Sequence, residues 1–104
     1  MEIMHVNTDN FDETIKGNKP VLVDFFATWC GPCKMLSPIL EQVKEEMGEE
    51  ATIVKLDIDE SLDIAKKYGV MSVPTMIIFK DGEETDRIVG LRQKTQIIEA
   101  LKNI

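Results

Sequence analysis

The chain has 104 residues, of which 43% are hydrophobic and 30% charged. That fits one soluble domain, residues 1–104, with a real core, and excludes a disordered tail. Nineteen acids against twelve Lys and Arg leave a formal net charge of −7; a surface so negative repels nucleic acid and anionic lipid. No stretch approaches the roughly 18 continuous apolar residues of a membrane span. The first eleven residues lack the apolar run of a secretory signal, so a cytoplasmic location is expected, where lasting structural disulfides are rare.

Ile3, Met4 and Val6 form a short extended opening, read as an edge strand. Thr8 or Asp9 can cap a helix over about residues 10–16, with Phe11 and Ile15 four apart on one face. Gly17-Asn18-Lys19-Pro20 then breaks it. Val21-Leu22-Val23-Asp24-Phe25-Phe26-Ala27 is near-continuous apolar sequence, the pattern of a central strand covered on both faces.

From 32 to about 47 the period changes. Met35, Ile39, Val43 and Met47 recur every four residues, and Leu36 and Leu40 widen the stripe. Pro32 fits the first turn of this helix. Pro38 lies one turn inside, cannot donate to the carbonyl of Lys34, and predicts a kink rather than two helices. Gly48-Glu49-Glu50 closes the helix, and Thr52-Ile53-Val54-Lys55-Leu56 is strand-like, completing a right-handed βαβ unit.

Residues 57–61 supply a turn and cap for a short helix over 60–68, with Leu62, Ala65 and Tyr68 inward and Gly69 ending it. Pro74 opens the apolar run Thr75-Met76-Ile77-Ile78-Phe79. Lys80-Asp81-Gly82-Glu83 joins it to residues 84–90, and Asp-Gly between strand-like runs signals a hairpin. The last helix, about 94–102, buries Ile97, Ile98 and Leu101; Gln93 is a poor cap, so its first turn is expected to fray. The order β-α-β-α-β-α-β-β-α describes a mixed α/β sheet with helices on both faces.

The only two cysteines stand in Trp29-Cys30-Gly31-Pro32-Cys33, between the central strand and the long helix. Helix-start N–H groups and the helix dipole favour a thiolate there, which points to a redox pair. Cys30 is expected to be the more exposed and the nucleophile. Cys33, one turn in, is placed to attack the resulting mixed disulfide. Gly31 allows close approach, Pro32 fixes φ, and Trp29 is a partly exposed platform. A bridge this short would constrain the unfolded chain little, and structural zinc wants four ligands where only His5 could join the pair.

Asp24 is a carboxylate inside a buried run, costly unless paired, hydrated or protonated. It can lie beneath the cysteines and exchange a proton as Cys33 reacts, with Lys55 on the neighbouring strand as counter-charge. Val73-Pro74 can carry a cis peptide, and Gly90 marks either a bulge or a place where a partner's backbone comes close.

Phe25–Cys33 with Lys34-Met35, Asp24, Pro38, Val73-Pro74-Thr75, Phe79-Lys80-Asp81-Gly82 and Val89-Gly90 together resemble the thioredoxin family over essentially the whole chain. The resemblance implies a thioredoxin-like α/β fold, a central five-stranded mixed β-sheet flanked by four α-helices, with the last two strands antiparallel. It implies protein-disulfide reductase activity in which Cys30 attacks, Cys33 resolves, and Asp24 and Lys55 assist. Pro74 corresponds to the family's cis-proline. Trp29, Gly31, Pro32, Val73, Pro74, Gly90 and Leu91 correspond to the surface that receives substrate and reductase.

Implied partners are protein disulfides, such as those of ribonucleotide reductase, a peroxiredoxin or methionine sulfoxide reductase, and a thioredoxin reductase. No bound cofactor or metal is implied, and a monomer is expected. Three positions depart from the commoner pattern. Phe26 replaces a frequent tryptophan, Thr28 stands where acids or prolines are frequent, and Met71-Ser72 replaces a more polar or glycine-containing pair, enlarging the apolar rim. The same surface could instead serve a thiol oxidant or isomerase, or a binding subunit without turnover. Gly-Pro between the cysteines, rather than a histidine, favours the reductant.

Overall fold

Strand Val21–Phe26 (β2) is buried at all six positions, as a run without alternation requires. The structure is a computed structural model and describes residues 2–104. Around β2 stand Met4–Val6 (β1), Thr52–Asp57 (β3), Thr75–Lys80 (β4) and Glu83–Val89 (β5), in the order β1-β3-β2-β4-β5. β1 and β2 run parallel to β3, whereas β4 is antiparallel to β2 and β5 to β4. Four helices complete the fold: Phe11–Thr14 (α1), Gly31–Met47 (α2), Leu62–Lys67 (α3) and Lys94–Lys102 (α4).

Each face of the sheet carries its own core. Leu22 packs with Leu36, Leu40 and Val43 of α2 and Ile97 of α4. Val21, Val23 and Phe25 point the other way and pack with Phe11 and Ile64. Because side chains alternate along a strand, Asp24 shares its face with Leu22 and Phe26, the face toward α2.

Several sequence expectations are corrected. α1 is shorter than 10–16, and its N-cap is Asn10 rather than Thr8 or Asp9. Thr8 is engaged elsewhere: its N–H donates to Ser61 Oγ at 3.1 Å and its hydroxyl to Asp63. Met35 is exposed, not part of the buried stripe. A strict four-residue row drifts about 40° per step around a helix, so Met35 stands roughly 120° from Met47. Cys33 takes its place, with Leu36, Leu40, Val43 and Met47.

In α3, Leu62 at the first helical position is exposed and Ile64 is buried with Ala65. Tyr68 is half-buried, its ring 5.5 Å from Phe11 and 5.2 Å from Phe79. α2 continues through Pro38 as one helix. Asp81 and Gly82 take φ of 55° and 82°, and Lys80 pairs with Glu83, the two-residue turn that Asp-Gly predicts. The first turn of α4 is tied rather than loose, because Gln96 Oε1 accepts from the Gln93 N–H at 3.1 Å.

Candidate active site

β2 ends at Phe26 and α2 begins at Gly31, so the joint between them holds the cysteines above the carboxyl end of the central strand. Cys30 is the N-cap of the 17-residue helix, and its Sγ accepts from the Cys33 N–H at 3.1 Å. Its own N–H donates to the Ala27 carbonyl at 3.2 Å. Cys30 and Cys33 form a disulfide. Exposure does not separate the two, at 5% and 3%, contrary to the expectation of a clearly more exposed Cys30. Both sit in a small cluster with Phe26, Ala27 and Val73. Position separates them instead: the Cys30 sulfur lies at the positive end of the helix, where negative charge is favoured.

Around the pair, Trp29 is 68% exposed, and Gly31 and Pro32 are exposed in the first turn of α2. The indole N–H of Trp29 donates to Asp59 Oδ2 at 3.0 Å. Asp59 is presented by a turn in which its N–H donates to Asp57 Oδ1 at 2.9 Å. Val73 is half-buried against the cysteines, and the Val73–Pro74 peptide is cis. Pro74 is buried, and its carbonyl accepts from the Gly90 N–H at 2.8 Å. The backbone of Val73 itself makes no hydrogen bond among the described residues.

Gly90 has φ of 94°, a left-handed backbone that favours glycine; a Cβ there would meet only Arg92 Nη1 at 3.3 Å, the movable end of an exposed side chain. The irregularity between β4 and β5 lies at Ile78/Phe79, away from Gly90. Leu91 is exposed at the same end of the sheet.

On the α2 side of β2, Asp24 is fully buried, and among the described residues neither carboxylate oxygen has a hydrogen-bond partner. Burial pushes its carboxyl up to about 7, and the Lys55 ammonium opposes part of that rise. Asp24 and Lys55 are register partners on β2 and β3. Lys55 donates to Ser37 Oγ at 3.1 Å, so it acts on Asp24 through charge and not through a hydrogen bond to it. The ammonium also lies 4.6 Å from the centre of the Phe26 ring. An open cleft of about 380 Å³ reaches Lys55 and Cys33 but not Asp24; Phe26, Ala27, Thr28, Lys34 and Ser37 complete its lining.

Sequence reasoning missed Asp59 and Ser37. Each meets its partner only across the fold, and neither carries a local signal. No helix among the described residues is long and apolar enough to cross a membrane.

With this geometry in hand, comparison with known proteins decides the family. A family model described as Thioredoxin matches residues 2–103. The chain belongs to the thioredoxin family. It is 50% identical over 101 residues to the thioredoxin of Staphylococcus haemolyticus, covering 97% of this chain and 96% of that one. It is 46% identical over 92 residues to the thioredoxin of Mycobacterium tuberculosis, covering 88% and 79%.

Among solved structures, a mutant thioredoxin from Halobacterium salinarum superposes with a TM-score of 0.89 at 37% identity, covering 98% of this chain and 89% of that one. The Malassezia sympodialis thioredoxin gives 0.89 at 34%, covering 97% and 89%. The five-stranded mixed sheet with four helices is the thioredoxin-like fold, and the Cys30–Cys33 pair makes the chain a thioredoxin-type protein-disulfide reductase.

Proposed function

We propose that Cys30 is the attacking sulfur and Cys33 the resolving one. The observation that carries this is the hydrogen bond from the Cys33 N–H to the Cys30 sulfur at the front of α2. In the reduced protein the Cys30 thiolate attacks one sulfur of a partner's disulfide, forming a mixed disulfide and releasing the other partner sulfur as thiolate. Cys33 then loses its proton and attacks Cys30 Sγ. The intramolecular disulfide forms, the second partner sulfur leaves, and two electrons have passed from this chain to the partner. A thioredoxin reductase returns them.

Asp24 is the proton acceptor for Cys33 in this scheme. A carboxyl pushed up to about 7 is poised to take and give a proton at neutral pH. Lys55, held by Ser37, keeps part of the anionic form accessible. A partner segment lies along the free backbone of Val73 as an added strand, between Trp29 and the Pro74–Gly90 contact, with Gly31, Pro32 and Leu91 on the rim. Ribonucleotide reductase, a peroxiredoxin and methionine sulfoxide reductase are candidate partners. The cytoplasm is the fitting compartment, since a reductant must be recharged.

Reductase-coupled reduction of insulin tests the assignment. Cys30→Ser is expected to abolish turnover. Cys33→Ser is expected to accumulate a mixed disulfide through Cys30, seen as an adduct that dithiothreitol removes. An adduct through Cys33 in the Cys30→Ser protein, formed as fast, would reverse the roles.

A further inference from the structure

Met71 is 97% exposed, more than any other large apolar side chain among the described residues. It does not hang from a loose loop. On one side the Val70 N–H donates to the Ala65 carbonyl at 2.9 Å, and on the other the Thr75 hydroxyl donates to the Ser72 carbonyl at 2.7 Å. The loop is pinned before and after Met71, and its side chain is held out in solvent. Two peptide units separate it from Val73, so their Cα atoms lie within about 7 Å. Val73 packs on the cysteines. A thioether therefore stands beside the Val73–Pro74 groove proposed above as the seat of a partner strand.

We propose that Met71 is a peroxide-sensitive modification site, and that its sulfoxide weakens the docking of partner proteins; this rests on reading the Val73–Pro74 groove as their seat. Thioether oxidation follows exposure. Met47 and Met76 are buried, while Met4 and Met35 are exposed to 67% and 62%. In the reaction a thioether lone pair attacks a peroxide oxygen. The S–O bond forms as the O–O bond breaks, the sulfur is oxidised by two electrons, and hydrogen peroxide leaves as water. The cysteines of the disulfide form offer no thiol, so in that state Met71 is the most accessible sulfur near the groove. A sulfoxide oxygen holds water, and an apolar partner must strip that water to dock. The chemistry at Cys30 is untouched, so the loss falls on binding.

The test treats the disulfide form with hydrogen peroxide, follows each methionine by peptide mass spectrometry, and then measures insulin reduction with reductase in excess. Met71 sulfoxide is expected to form before those of Met4 and Met35. The KM for insulin is expected to rise about three- to ten-fold while kcat stays within about twofold. A Met71→Leu protein should give the same KM before and after peroxide, and a Met4→Leu/Met35→Leu protein should keep the full response. Trp29→Ala reports separately on the groove. If it raises KM while Met71 sulfoxide does not, the proposal falls and the groove stands. If neither moves KM, both fall. Slower oxidation of Met71 than of Met35 also overturns the proposal.

Discussion

Asp24 sits where the strand pattern alone asks for another valine or leucine. It was legible in the sequence because a lone acid in an apolar run is conspicuous, as were the cysteines and Val73-Pro74. Ser37 and Asp59 were not, since their partners Lys55 and Trp29 lie 18 and 30 residues away. The cost of Asp24 can be followed with pH. Its carboxyl rises from an ordinary 3.8 to about 7 in the fold. Below pH 4 both states hold the proton, and stability is greatest as far as this group is concerned. Between pH 4 and 7 the unfolded chain gives up its proton and the folded one does not, so stability falls as pH rises. Above 7 the loss is complete, at most about 4 kcal/mol. Asp24→Asn should therefore raise the urea midpoint clearly at pH 8 and hardly at pH 4. The same variant should lose the inflection near pH 7 in the rate of disulfide reduction. Equal stabilisation at both pH values would show that ionisation is not the source of the cost.

Elements were easiest to place where one strong signal decided them. β2 is marked by apolar sequence broken only at Asp24, and the β4–β5 hairpin by Asp81-Gly82. Helix faces were harder, because several residues compete for a stripe and a small phase error moves one outside. For that reason the sequence pattern places Met35 and Leu62 inward and passes over Ile64, whereas in the fold Met35 and Leu62 are exposed and Ile64 is buried. The start of α4 failed differently. Gln93 is a weak cap by residue type, but the side chain three residues on supplies the acceptor for its N–H. That bond makes Gln96 the residue that orders the first turn. Gln96→Ala is expected to cost about 0.5–1 kcal/mol of stability and to speed amide exchange selectively at the start of α4. If exchange there is already fast in the parent protein, the turn frays despite the cap.

At the scale of the whole molecule, β2 carries side chains into both cores and is hydrogen-bonded to β3 and β4. The two layers therefore cannot melt independently unless the central strand keeps its place with one face bare. Losing either layer would expose one apolar face of β2 to water: Leu22 on the α2 side, or Val21, Val23 and Phe25 on the other. The edges are protected in different ways: β1 has only three residues, and β5 carries Glu83, Glu84, Asp86 and Arg87. We expect residues 2–104 to unfold as one unit. Leu40→Ala empties the α2 layer and Phe11→Ala the opposite one, and both side chains are fully buried. Each is expected to cost about 2–5 kcal/mol. In urea, each should shift the midpoint without changing the slope, with Trp29 emission and far-UV circular dichroism reporting a single coincident transition. A second transition in either variant, or a slope lowered in only one of them, would mean that the two layers are separately stable and that β2 does not couple them.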